Sequence, residues 1–213
     1  MLRLRLKNDN LSVKGTIAMG YYEKIQEIAD RHHGMVTSQM IKDESIPSVY
    51  LTRMVNKGTL KRIDRGIYTT GEAILDEYFL FYQKNQKIIF SFSSALFLHG
   101  LSDRIPYQME VTLPNNYNSS HISDDVIIHK VLKKYYPVGR MMKQTMFGNE
   151  VACYDMERTI CDLVRFRDAM DVEIFRKAVL SYKDHSDRNI HKLRQYANTF
   201  RISDKINELL DVI

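Results

Sequence analysis

Two groups of charged side chains in this sequence have the types and spacing to do specific chemistry. The first runs from Arg53 to Arg65: Arg53 and Lys57 lie four apart, Lys61 and Arg62 follow a glycine, and Arg65 stands in an Asp-Arg-Gly turn. Long cations that share a helical face and continue into a turn suit phosphate oxygens, and an arginine fork suits the O6 and N7 edge of guanine. The second group spans 155–168, where Asp155, Glu157, Arg158, Asp162, Arg165 and Asp168 crowd one helical segment. Carboxylates at that density suit a divalent cation and phosphodiester hydrolysis.

The second group is better explained as structure. A metal-dependent nuclease wants a lysine beside its acids on a strand, and no aspartate followed by an acid-x-lysine step falls on the candidate strands. Asp155 suits a helix N-cap and Glu157 the first turn, where negative charge meets the helix dipole. Arg158 and Asp162 lie at i, i+4, and Asp162 and Arg165 at i, i+3, so both pairs fit one helix surface. Both arginines stay available to a partner or a nucleic acid. The rival reading is a nucleic-acid-processing, nuclease-like enzyme built on this cluster; loss of metal-dependent cleavage on changing Glu157 and Asp162 would favour it.

Other chemistry is scarce. Cys153 and Cys161 are eight apart without a Cys-x-x-Cys partner, and read as buried small hydrophobes rather than zinc ligands. His99 lies among apolar residues before Gly100 and reads as a hydrogen-bonded core histidine. There is no phosphate-loop signature, no dinucleotide GxGxxG after a strand, no HExxH and no GxSxG. No catalytic residue, cofactor or metal is expected.

The elements around the first group must position it. Residues 21–33 carry Tyr22, Ile25, Ile28 and Ala29 at helical steps, and Gly34 ends the run. Met35 and Val36 form a short extended link. Thr37 or Ser38 caps a second short helix with Met40 and Ile41 inward, and Pro47 stops it. Ser48 suits the N-cap of a third helix that runs to about Lys57, with Gly58 just beyond. Leu51, Met54 and Val55 form its buried face; Tyr50, Arg53 and Lys57 lie on another, beside Val49, Thr52 and Asn56. TLKRI and IYTT around Asp64-Arg65-Gly66 predict a hairpin. Three helices and a hairpin form the winged helix-turn-helix plan, with Tyr50, Arg53, Asn56, Lys57, Lys61, Arg62 and Arg65 as the candidate DNA-binding residues. The alternative is a winged helix that only binds protein.

Charge follows this plan. The 213 residues hold 31 Lys and Arg against 26 Asp and Glu, a net of +5. Residues 71–213 are neutral, with 19 of each sign. Residues 1–18 carry +3, residues 19–47 carry −2, and residues 48–65, the third helix and wing, carry +4. Charge alone also fits a solvated surface.

Residues 1–18 form a basic tail that reads either as a disordered arm with nonspecific phosphate affinity or as a strand of alternating Leu and Arg; Met19 is an alternative start. The tail lacks the apolar stretch and cleavage site of a signal peptide, and no run approaches a membrane span, so the cytoplasm is expected and a membrane is not. Beyond residue 71, helices are expected at 72–83, from Ser93 or Ser94 to Gly100, from Asp155 to about Arg167, and near 171–182, 189–200 and 203–212, the last two capped by Asn189 and Ser203. Strands are expected at Lys87–Ser91, Tyr107–Leu113, Val126–Val131, 141–147 and 150–154. The fold class is α+β: a winged helix-turn-helix over 19–70, then a mixed α/β domain over 71–213 ending in helices.

The stretch GMVTSQMIKDESIPSVYLTRMVNKGTLKRIDRGIYTT resembles the winged-helix domain of AbiEi-family antitoxins. SSALFLHGLSDRIPYQMEVTLP and YDMERTICDLVRF resemble that family's C-terminal antitoxin domain, so the likeness runs from about residue 21 to 200. The resemblance implies a bacterial type IV toxin–antitoxin system linked to abortive phage infection. It implies an N-terminal domain that binds inverted repeats in its own promoter and represses transcription. It also implies a C-terminal domain that counteracts a nucleotidyltransferase-like toxin, without need of a stable complex. Tyr50, Arg53, Lys57, Lys61, Arg62 and Arg65 are the DNA contacts it implies, and it carries no catalytic residues over. A monomer in solution, with two copies meeting cooperatively on DNA, is expected.

Overall fold

The computed structural model describes residues 20–71 and 73–212, with the side chain of Val212 left out. The readings of residues 1–18 as an arm or a strand lie outside the described residues. The chain divides into two compact units, Met1–Asp76 and Glu77–Ile213.

The first unit begins with a helix over residues 20–31 (α1). Its stripe of Ile25, Ile28 and Ala29 is buried, as the three- and four-residue spacing requires. Gly34 takes φ +90, where a side chain would strike Thr70 and Ala73, so only glycine turns the chain here. The expected extended link is strand β1 (Met35–Thr37). Thr37 caps α2 (Ser38–Asp43) by accepting from the Met40 backbone at 3.1 Å, and Met40 sulfur reciprocates toward the Thr37 N–H. α3 spans Val49–Asn56 and buries Leu51 and Met54. Strands β2 (Lys61–Asp64) and β3 (Ile67–Thr69) form the hairpin. β3 lies between β1 and β2 in an antiparallel sheet, and a bulge falls between Arg62 and Asp64.

The second unit opens on α4 (Glu77–Lys84). The expected helix over 72–83 thus starts late, and Ile74 and Leu75, within that expected span, are exposed. β4 (Ile89–Phe90) leads to α5 (Phe92–Leu98). Ser91, not Ser93 or Ser94, occupies the N-cap, and its side chain makes no capping bond. Ser94 accepts from the Glu110 backbone instead, at 2.8 Å, which ties α5 to the sheet. β5 (Met109–Pro114), β6 (Val126–Val131), β7 (Arg140–Gln144) and β8 (Glu150–Tyr154) complete a mixed sheet ordered β6-β5-β4-β8-β7. β4 runs parallel to β8 and β5 to β6; the other two pairings are antiparallel. α6 (Met156–Arg165), α7 (Val172–Asp184), α8 (Ile190–Phe200) and α9 (Ser203–Val212) follow. Their apolar faces meet at Ile160, Leu163, Phe175, Tyr182, Leu193 and Ile206. The outcome is helices with two sheets, as an α+β composition requires. Among the described residues no helix is long and apolar enough to cross a membrane.

Candidate nucleic-acid interface

α3 is oriented by what it buries. Leu51 and Met54 sit against Ile25, Ile28, Val36, Ile41 and Leu60, so the opposite face is turned to solvent. Val55, expected beside them, is only partly buried. Ser48 was the expected N-cap, but its backbone is already helical at φ −59 and its hydroxyl makes no capping bond. The helix enters through a tight turn instead: Tyr50 N–H donates to the Pro47 carbonyl and Leu51 N–H to that of Ser48, both at 3.1 Å. Proline cannot donate and favours a first-turn angle, so it starts the helix without a side-chain cap. At the far end Gly58, at φ +74, lets Thr59 N–H return to the Met54 carbonyl at 2.9 Å.

Arg53, Asn56 and Lys57 are exposed on α3, as are Lys61, Arg62 and Arg65 on the hairpin. Among the described residues no carboxylate forms an ion pair with Arg53, Lys57, Lys61 or Arg65. Arg62 Nε donates to the Asp64 carbonyl at 3.1 Å, which holds the arginine along the bulge. The Asp64 carboxylate accepts from the Arg65 backbone at 2.6 Å and shapes the turn. Three acidic side chains of the unit find partners elsewhere: Glu44 takes Arg31 at 3.4 Å, Asp30 takes Gln26 at 3.0 Å and Asp43 takes Gln39 at 2.7 Å. Six of the seven candidate residues are therefore exposed, and among the described residues Arg53, Lys57, Lys61 and Arg65 keep charges that no carboxylate pairs.

Tyr50 is the exception. It is partly buried and packs between Tyr21 and Tyr22, with ring centroids 5.0 and 5.3 Å away. Arg53 lies 5.1 Å over the Tyr50 ring, and Lys57 lies 4.5 Å over Tyr22. The ring faces steady both cations without neutralising them, which keeps their charge for an anionic partner. Tyr50 is thus a support for its neighbours rather than a free contact. The sequence reading placed Tyr22 only in the apolar stripe of α1 and passed over Tyr21; the signal was the tyrosine pair leading into an amphipathic helix.

The other charged cluster is built inward. Asp155 caps α6, accepting from Arg158 N–H at 2.8 Å, and its second oxygen takes Tyr196 and Lys192 at 3.0 and 2.8 Å. Glu157 accepts from Tyr182 and from the Asn189 backbone. Arg158 has a fully buried side chain. It meets Asp162 at 2.8 Å, donates to the carbonyls of Tyr135 and Val138, and lies between the rings of Tyr154 and Phe200. Gly139, at φ +80, makes room for it: a Cβ there would come within 2.5 Å of Arg158 Cβ. Asp162 also takes Arg165 at 2.9 Å; burial raises its pKa and the two guanidiniums pull it back. The expectation that both arginines stay available to a partner fails for Arg158, which solvent does not reach. Among the described residues no group of three or more His, Cys, Asp and Glu side chains is placed to hold a metal ion.

Cys153 and Cys161 are both buried, and burial pushes the Cys161 thiol up to about 12. His99 is buried and bonds the Tyr154 carbonyl at 2.8 Å; a carbonyl only accepts, so Nε2 carries the hydrogen. Burial lowers the His99 pKa, against that hydrogen bond. The sequence reading passed over Glu110, whose carboxylate receives Ser93 and, at 2.7 Å, His129 beside a cleft of about 310 Å³.

Residues 23–70 match the family model described as transcriptional regulator, AbiEi antitoxin. The match spans less than a quarter of the chain's 213 residues. The AbiEi match covers α1 through β3 and so takes in all seven candidate residues. Among solved structures, the RV2827C protein from Mycobacterium tuberculosis is similar, with 13% identity and a TM-score of 0.48 over 85% of this chain and 75% of that one. No curated protein matches.

Proposed function

We propose that the N-terminal unit is a winged helix-turn-helix, with α3 as the recognition helix and β2–β3 as the wing. It binds duplex DNA at inverted repeats in the promoter of its own operon and represses transcription. The observation that carries this reading is the set of exposed cations on α3 and the hairpin that pair with no carboxylate among the described residues, inside the segment that matches antitoxin regulators. Arg53 suits a guanine edge, and Lys57, Lys61, Arg62 and Arg65 suit phosphates. Asn56 adds an amide with the geometry for adenine.

The same reading makes the protein the antitoxin of a type IV pair. Its C-terminal unit, residues 77–213, counteracts a nucleotidyltransferase-like toxin encoded nearby, and the protein is a cytoplasmic regulator, monomeric until two copies meet on DNA. The buried carboxylates of α6 fit this better than the nuclease reading, because Asp155, Glu157 and Asp162 already spend their oxygens on lysine, arginine, tyrosine and backbone partners.

A gel shift on the upstream promoter tests the DNA half: the fragment shifts, unrelated duplex of equal length shifts only at much higher protein, and Arg53→Ala with Lys61→Ala abolishes the difference. Binding unchanged in that double variant would place the DNA face elsewhere. Co-expression with the adjacent toxin gene tests the other half, with growth rescue expected from the C-terminal unit's presence and not from the α3 cations.

A further inference from the structure

Among the described residues of α1, α2 and α3, Val49 is the one aliphatic side chain left exposed, at 47%. It stands at the first position of α3. Thr52 follows at i+3, Arg53 at i+4 and Asn56 at i+7, so all four share one solvent-facing stripe. The core row of Leu51 and Met54 lies on the other side of the helix, and Val49 stands outside the core cluster that they join. The turn at Pro47 and Ser48 leaves the helix start without a side-chain cap, and Pro47 and Ser48 are themselves exposed.

A recognition helix reaches base edges with its N-terminal residues. The major groove offers one apolar feature, the C5-methyl group of thymine. We infer that Val49 reads a thymine methyl, next to the base edge taken by Arg53, and is a specificity-determining residue of the operator complex. This rests on the DNA-binding reading above. Tyr50 and Lys57, held in the tyrosine cluster, flank the stripe and do not read bases.

Deoxyuridine scanning tests the assignment, because replacing thymine by deoxyuridine deletes that methyl and nothing else. The affinity of the full chain is measured by fluorescence anisotropy on promoter duplexes with each thymine replaced singly. The wild type loses about fourfold at one thymine in each half-site, the weight of one buried methyl-sized group. V49A is weaker by a similar factor on the unmodified duplex and indifferent to deoxyuridine at that thymine. Its salt dependence is unchanged, because no phosphate contact is lost. Alanine favours a helix, so V49A folds, and an unchanged circular dichroism melt shows it. The assignment is overturned if V49A and wild type respond alike to every deoxyuridine, or if no thymine is sensitive. Equal wild-type affinity for promoter and unrelated duplex overturns sequence-specific binding altogether. Specific binding with additive effects overturns only the role of Val49.

Discussion

α3 and α6 carry arginines at similar spacing and put them to opposite uses. On α3, Arg53 and Lys57 lie four apart, face solvent, rest on tyrosine rings and form no ion pair among the described residues. On α6, Arg158 and Asp162 lie four apart, are both buried, and bind each other, two backbone carbonyls and a second arginine. A charge in water is free to meet a new partner, whereas a buried charge must be satisfied inside the fold. The comparison therefore separates a surface kept ready for an anion from a polar joint that holds helices together. Arg158 Nη2 is the one buried side-chain nitrogen or oxygen without a hydrogen-bond partner among the described residues, so the joint satisfies all but one of the polar atoms it buries.

The joint breaks hardest. Arg158→Ala strands Asp162 and the carbonyls of Tyr135 and Val138, and should cost about 3–5 kcal/mol in urea denaturation. If the loss is below about 1 kcal/mol, α6 carries no such joint. Gly139→Ala should cost about 1–3 kcal/mol, because it adds a steric clash to a left-handed backbone. Both variants should leave promoter affinity unchanged wherever the protein is folded.

Arg53→Ala should behave in reverse. It removes about 1–3 kcal/mol of specific DNA affinity but no more than about 1 kcal/mol of stability, the weight of its contact with Tyr50. Smaller still, Lys61→Ala should weaken binding alike on all sequences and lower the slope of log affinity against log salt by about one. A sequence-dependent loss would make Lys61 a base contact.

The mildest change concerns pH. The folded His99 pKa lies below its ordinary value of about 6.5, so the unfolded chain takes up the proton first as pH falls. Stability is full above about pH 6.5 and declines below it, until the folded histidine also titrates. His99→Gln should flatten the melting temperature between pH 7 and 5 compared with wild type; an unchanged slope would remove His99 as the cause.

The candidate DNA face was readable early because its signals are local. Apolar spacing placed Leu51 and Met54 inward, which dictated where Arg53, Asn56 and Lys57 must point. The Asp-Arg-Gly turn and its flanking β-prone runs marked the hairpin. The packing of Tyr50 was not legible because its partners, Tyr21 and Tyr22, are distant in sequence. Ile74 and Leu75 were misjudged for another reason: helical spacing promises a helix only where something packs on the stripe, and these two side chains face solvent.

By itself the sequence determined the element types, the segment that carries the basic excess and the pairing of Arg158 with Asp162. These depend on spacing along one chain segment, and the geometry of a helix or hairpin converts spacing into neighbours. Only the tertiary structure decided which of the charged helices keeps its cations. Burial is set by what other elements cover, so α6 lost its charges to the interior when Tyr135, Val138, Tyr154 and Phe200 closed over Arg158. α3 kept its own because the described elements of its unit cover Leu51 and Met54, and in part Tyr50 and Val55, and leave Arg53 and Lys57 exposed.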